Sequence, residues 1–123
     1  MLEVYSVNLA VTEDEAVPFQ NVSVKKGCTA ELSGTSTIKL NKCGVYMVAV
    51  DASAEATTTL QLYKDGVAQP QAQSTGGSPA FVTLVQVSDS NSCCPCSEPV
   101  SLQVLNSTAT TLTNVNCTVT KIV

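Results

Sequence analysis

Six cysteines are the residues of this chain best suited to chemistry, and three of them, Cys93, Cys94 and Cys96, lie in the single stretch NSCCPCSEP. Thiolates bind zinc in a tetrahedral set, and this cluster would need a fourth ligand from another cysteine because the chain has no histidine. Close thiols also form disulfides. Disulfides are the favoured outcome, followed by free thiols and then a metal site. The remaining cysteines are Cys28, Cys43 and Cys117.

Cys117 has a simpler interpretation than metal or disulfide chemistry. It occupies the middle of Val115-x-Cys117-x-Val119, where alternation places the thiol on an apolar strand face. A thiol there acts as a small hydrophobic side chain. Redox catalysis by Cys93 and Cys96 is disfavoured, since such sites open a helix beside a parallel sheet and neither element is predicted.

Charged residues offer little catalytic chemistry. Without histidine the Ser-His-Asp and Cys-His arrangements are excluded, so proton transfer would fall to carboxylates or lysines. The run Glu13-Asp14-Glu15 is typical of a solvated turn, with calcium coordination as the alternative. We therefore predict no enzymatic activity, no metal and no other cofactor.

The composition limits the partners. Arginine is absent, the net charge is −4 and the only basic pair is Lys25-Lys26, which argues against nucleic-acid binding. No apolar run approaches the roughly 20 residues of a membrane span, and MLEVYSVNLAV lacks a signal-peptide pattern. We expect a soluble product made in the cytoplasm, or a domain excised from a longer chain, with residues 1–123 forming one domain.

The apolar content is high for so few charges, at 44% against 13%. A small monomer normally needs more charge to coat its surface, so some apolar surface is expected to be buried against copies of the chain. Two segments, 45–50 (VYMVAV) and 81–87 (FVTLVQV), are apolar on both faces or nearly so. These segments predict strands covered on both sides, either by an opposing sheet and a loop or by an opposing sheet and a neighbouring subunit.

The chain is predicted to be all-β. Apolar residues lack helical spacing, while Thr, Val and Ser dominate, and one early segment alternates with Val4, Ser6 and Asn8 opposite Tyr5, Val7 and Leu9. Turn signals at regular spacing indicate an antiparallel sandwich or barrel. The ten predicted strands are 3–12, 21–25, 29–33, 36–40, 44–53, 57–64, 67–74, 79–88, 99–106 and 110–122.

The order of these elements resembles a known family. The strand ending in Ile38-Lys39-Leu40, a short turn and then Gly44-Val45-Tyr46 resembles the I-x-x-x-G-x-Y signature of tumour necrosis factor-like and complement globular-head jelly rolls. Leu60, Leu62 and Gly66 are similar to the following L-x-L-x-x-x-G. The resemblance covers nearly the whole chain and implies a jelly-roll homotrimer whose late apolar strand lies near the three-fold axis. The core and interface residues it implies are Tyr46, Val48, Phe81, Thr83, Val85 and Val87.

The resemblance also bears on the cysteines. In a jelly roll of this order, Cys43, the Cys93–Cys96 loop and the end of the last strand lie at one end of the sandwich. A disulfide from the cluster to Cys43 or to Cys117 is the resulting prediction. The cysteine-rich loop is an addition to the family pattern, and residues 1–123 include no collagen-like or coiled-coil stretch of the kind that often precedes such heads.

Within the family, the Thr/Ser-rich composition without arginine is closest to bacterial and bacteriophage members. We therefore expect a non-enzymatic adhesion or structural head at a virion or microbial surface, such as a phage head-fibre tip or capsid decoration. Its expected partners are its own copies, a scaffold at the N-terminus, and a host glycan or protein. Two alternatives stay open: a secreted trimeric signalling or carbohydrate-binding ligand, and a zinc or redox protein built on the cysteine cluster.

Overall fold

The structure, a computed structural model, describes residues 1–87 and 99–123. These residues form eleven strands that pair antiparallel in two sheets. Each of the ten predicted strands is present with ends within two residues of those expected, and the additional strand is the two-residue β2. The strands are β1 (Leu2–Val11), β2 (Glu15–Ala16), β3 (Asn21–Lys25), β4 (Ala30–Ser33), β5 (Thr37–Leu40), β6 (Gly44–Ala54), β7 (Thr58–Lys64), β8 (Val67–Gly76), β9 (Ala80–Val87), β10 (Val100–Asn106) and β11 (Thr110–Lys121).

Strand order gives the fold its jelly-roll character. Sheet A has the order β3-β1-β11-β6-β9, and sheet B has the order β4-β5-β10-β7-β8 with β2 paired to β10. Strands distant in sequence are neighbours, so the chain crosses repeatedly between the sheets. The prediction of an all-β antiparallel jelly-roll sandwich is confirmed.

Aliphatic side chains from both sheets fill the space between them. The signature residues Ile38, Tyr46, Leu60 and Leu62 are all buried in this core. Tyr46 is the largest fully buried side chain, and its hydroxyl donates to the carbonyl oxygen of Lys42 at 2.7 Å. The aromatic residue of the signature thus fills the core and fixes the turn before its own strand.

Two turns explain the glycines of the family pattern. Asp65 and Gly66 both have positive φ, 51° and 81°, which is the backbone of a tight hairpin between β7 and β8. Gly44 has φ 143°, and a β-carbon there would lie 2.3 Å from the carbonyl oxygen of Val123. Glycine at 44 is therefore required by both conformation and space.

The predicted alternation of β1 is wrong from Asn8 onward. Val4 and Ser6 share the buried face, but Asn8, predicted to lie on the same face, is exposed and Leu9 is buried instead. Asn8 has φ 49°, a left-handed conformation that asparagine tolerates better than most residues. This irregularity moves the inward face of β1 from even to odd positions, and β11 changes its inward face in step, because the register of the pair is the same on both sides of Asn8.

The sandwich has two distinguishable ends. At the terminal end, Gly44 pairs with Val87, and the amide of Val45 donates to Val123 at 3.4 Å. At the opposite end, named here the distal end, β1 finishes at Val11 and β10 finishes at Asn106. Residues 1 and 123 therefore lie together, far from the distal turns.

Candidate functional site on the outer face of sheet A

The pairing of β6 with β9 creates two faces of opposite character. On the inner face, Tyr46 pairs with Val85 and both are buried in the core. On the outer face, Met47 pairs with Leu84 and Ala49 pairs with Val82. Val82 is 65% exposed and Leu84 is 58% exposed. We name this surface the β6–β9 patch: Val45, Met47, Ala49, Val82 and Leu84.

Segments 45–50 and 81–87 were predicted to be strands covered on both sides, and the structure shows what covers one of those sides. The opposing sheet covers one side of both segments, and a single copy of the described chain leaves Val82 and Leu84 open on the other. β9 is also the last strand of sheet A, so one of its edges has no paired strand among the described residues. An apolar face on an edge strand is an association surface or an aggregation hazard.

One row of sheet A beside the patch is polar. Moving across sheet A from Ala49, the register reaches Thr118 and then Glu3. Thr118 donates to the Glu3 carboxylate at 3.1 Å, and Ser23 donates to the same carboxylate at 2.7 Å. Along this row, the patch is followed by hydroxyls that already have hydrogen-bond partners.

The six residues implied by the family resemblance are placed mainly in the core of the chain itself. Tyr46, Val48, Val85 and Val87 are buried, and Thr83 is nearly so. Phe81 is partly buried and packs against the core. Their contact with another copy stays a prediction. Sequence reasoning missed the outer-face residues Val82 and Leu84, although FVTLVQV shows both of them as apolar residues between the inward positions.

Cys117 is buried as the sequence predicts. None of its surface is exposed, and burial, followed by the nearby Asp51 carboxylate, raises the pKa of the thiol to about 12. Such a thiol stays protonated at neutral pH and is a poor nucleophile or metal ligand. Cys28, in contrast, is exposed.

The two predicted disulfide partners of the cluster occupy different places. Cys43 immediately precedes Gly44, which pairs with Val87, so it lies at the terminal end beside the last residue before the undescribed segment. Cys117 pairs with Val50, about 20 Å along β6 from that end. Cys93, Cys94 and Cys96 lie outside the described residues, so the predicted disulfide stays a prediction.

The acidic run forms the turn between β1 and β2. The Thr12 hydroxyl donates to the Glu15 carboxylate, which closes this turn. Within residues 1–87 and 99–123, no His, Cys, Asp or Glu side chains are grouped closely enough to hold a metal ion. The same residues contain no helix of the length and apolarity needed to cross a bilayer.

Comparison with known proteins gives structural likeness without sequence relatives. No family model matches the chain, and no curated protein matches it. Among solved structures, the globular domain of zebrafish complement 1qA superposes with a TM-score of 0.76 at 12% identity, over 99% of this chain and 96% of that one. The fold is that of complement-like and tumour necrosis factor-like jelly-roll heads.

Two further structures support the same conclusion. Murine APRIL has a TM-score of 0.69 at 12% identity, with 98% of each chain covered. The PRD1 vertex protein P5 has a TM-score of 0.68 at 11% identity, covering 99% of this chain and 96% of that one. At these identities the likeness concerns the fold, and it does not choose between an animal and a bacteriophage branch.

Proposed function

We propose that the chain is a non-enzymatic head domain, formed by residues 1–123, that assembles as a homotrimer and decorates a virion or another microbial surface. The β6–β9 patch carries this proposal. Val82 and Leu84 are large apolar side chains left exposed on a strand whose other face packs against the core. Burying one such side chain contributes about 1.5–3 kcal/mol, and three copies would bury several.

The fold favours two further copies of the chain as the partners that cover the β6–β9 patch. The family resemblance implies subunits packed around strands of one sheet, and sheet A carries both the open patch and an open edge. The low charge content also favours self-association over solvation of an isolated chain. The likeness to the PRD1 vertex protein over nearly the whole chain supports a virion role, such as a head-fibre tip or capsid decoration.

The mechanism that follows is multivalent attachment. Residues 1 and 123 lie at the terminal end, which leaves the distal turns for a host glycan or protein while the N-terminus connects to the scaffold. Three weak sites on one rigid trimer bind a repetitive surface far more tightly than one site does. Such a protein is made in the cytoplasm and works on the virion or the outer microbial surface, without nucleic acid or membrane as a partner.

Light scattering on the purified chain tests the trimer. We expect a mass about three times the 12.8 kDa of one chain. Val82→Asp should dissociate the assembly, because an unpaired carboxylate in an apolar interface is costly. Val67→Asp is the matched control, since Val67 is also a valine and is 63% exposed, but lies in sheet B. A wild-type mass of one chain would reject the trimer.

A secreted trimeric signalling or carbohydrate-binding ligand is the second candidate function. The fold-level likeness to murine APRIL favours it. Genes for capsid or tail proteins beside the coding sequence would support the virion role. A secretion signal upstream of Met1 would support the ligand instead.

A further inference from the structure

A shallow depression of about 80 Å³ lies on the outer face of sheet B, toward the distal end. Residues of β7 and residues at the end of β10 line it. The turn after β1 contributes Asp14 to the rim. The lining residues are Asp14, Thr59, Gln61, Tyr63, Leu105, Asn106 and Ser107.

The lining combines many hydrogen-bonding groups with a small apolar surface. Gln61 donates one amide proton to the carbonyl oxygen of Gln69 at 3.3 Å, which leaves its second amide proton and its oxygen for a ligand. The Asp14 carboxylate makes no hydrogen bond or ion pair with the described residues, and Tyr63 and Leu105 supply apolar surface. Sugars need this combination, with amides and carboxylates for hydroxyls and an aromatic ring for the C–H face.

The charge of the lining narrows the ligand class. No lysine lines the depression and the chain has no arginine, so the groups that usually bind phosphate, sulfate or carboxylate are missing. Asp14 would also repel an anion. At about 80 Å³ the depression is too small to enclose a drug-sized ligand or a whole sugar, so a sugar would place one edge in it and leave the other edge in solvent.

One lining residue, Asn106, is held in place by a hydrogen-bond network. Asn106 is fully buried, and its oxygen accepts a hydrogen bond from the equally buried Thr58 at 2.5 Å. The amide of Asn106 donates to the carbonyl oxygens of Thr12 at 3.1 Å and Thr108 at 2.6 Å. This network joins the ends of β1, β7 and β10, so binding would order few groups.

We propose that the depression binds one neutral sugar residue of a surface glycan. The proposal deepens the proposed function and rests on it for biological effect, because three depressions on one trimer would turn weak single sites into firm attachment. A single site is expected to bind in the millimolar range. Gln61 and Asp14 would receive the sugar hydroxyls, while the Tyr63 ring would pack against the C–H face.

Nuclear magnetic resonance titration of the intact protein tests this site. Glucose, galactose, mannose and N-acetylglucosamine serve as neutral probes, and N-acetylneuraminic acid serves as the anionic probe. We expect at least one neutral sugar to shift the side-chain amide of Gln61 and the backbone amide of Ser107. The anionic sugar should leave both signals unchanged.

Matched variants locate the binding. Gln61→Ala should weaken binding at least about tenfold, whereas Gln71→Ala, at an exposed glutamine outside the depression, should not. Asp14→Asn should also weaken binding, and Glu13→Gln in the same turn should leave it unchanged. Binding that survives Gln61→Ala, or a preference for N-acetylneuraminic acid, would overturn the proposal.

Light scattering on the same samples separates the two proposals. A trimer that binds none of the neutral sugars overturns the sugar site and leaves the proposed assembly standing. A monomer that binds a neutral sugar through Gln61 supports the site and rejects the assembly.

Discussion

The two faces of the β6–β9 pair contain similar residues with different environments. Val85 is 4% exposed and Val82, three positions earlier on the same strand, is 65% exposed. Both are valines in one strand, so β-propensity cannot separate them. The difference is the opposing sheet, which covers only one side.

The two faces contribute to two different properties, the stability of each chain and the association between chains. The inner face holds the sandwich together in each chain, and in our proposal the outer face holds three sandwiches together. Substitutions on the inner face should lower the free energy of unfolding at any protein concentration. Substitutions on the outer face should act mainly on a dissociation constant, which depends on protein concentration.

The largest expected effect comes from Tyr46→Ala. The substitution removes a fully buried aromatic ring and leaves the Lys42 carbonyl without its hydroxyl donor, so it should cost about 3–5 kcal/mol of unfolding free energy. Met47→Ala, one position along and on the outer face, should cost less than about 1 kcal/mol in the separated chain. Chemical denaturation of both variants measures the difference. Equal losses would mean that the two faces are not distinct.

Gly44→Ala should have the next largest effect. An alanine there must adopt a φ of 143°, and its β-carbon would meet the Val123 carbonyl oxygen and the Lys121 side chain. Strain of this kind costs on the order of 1–3 kcal/mol, before any shift of the last strand. Gly77→Ala is the control, because nothing lies within 4 Å of a β-carbon at that position. Thermal unfolding experiments should show a lowered melting temperature for Gly44→Ala and an unchanged one for Gly77→Ala.

Local patterns allowed most of the fold to be predicted. Strand positions followed from alternation and turn residues, and the Asp65-Gly66 hairpin is confirmed by two positive φ angles. The change of face at Asn8 could not be predicted, because the alternation of residue types in β1 does not indicate the left-handed backbone conformation that Asn8 adopts. The Glu15–Ala16 strand was missed because two residues carry no periodicity.

The functional surfaces were less predictable than the fold. An apolar strand such as FVTLVQV indicates that both sides are covered, yet it does not say which alternate residues meet the core. The distal depression combines Asp14, Gln61 and Ser107 from three separate parts of the chain. Only the tertiary fold brings these side chains together, so no spacing in the sequence could have indicated the site.

Val85→Ala and Val82→Ala make the same substitution on the inner face and on the outer face of β9. Losing two buried methyl groups at Val85 should cost roughly 1–2 kcal/mol of unfolding free energy, while Val82→Ala should change it by less than about 0.5 kcal/mol in the separated chain. In the assembly the order should reverse, with Val82→Ala raising the subunit dissociation constant more. Denaturation and sedimentation, both over a range of protein concentrations, measure the two effects. If Val85→Ala has the larger effect in both assays, the outer face is not part of the interface.

The effect that is smallest at neutral pH concerns the inward Cys117, because it changes stability only in alkaline solution. Its thiol pKa is raised from 9.0 to about 12, chiefly by burial, so the folded chain holds this proton more tightly than the unfolded chain. The resulting stabilisation is fully present below pH 9 and is lost as the pH rises toward 12, by at most about 1.4 kcal/mol per pH unit. Cys117→Ala should lose less stability over that interval.

Alkylation provides a second measurement of the same burial. Iodoacetamide should label the exposed Cys28 in the native protein and reach Cys117 only after unfolding, because the reactive form is the thiolate. The other alkaline titrations are shared by wild type and Cys117→Ala, so the difference between their stability curves isolates this one thiol. Native labelling of Cys117 at neutral pH, together with parallel stability curves, would show that the inner face of β11 opens more readily than a packed core allows.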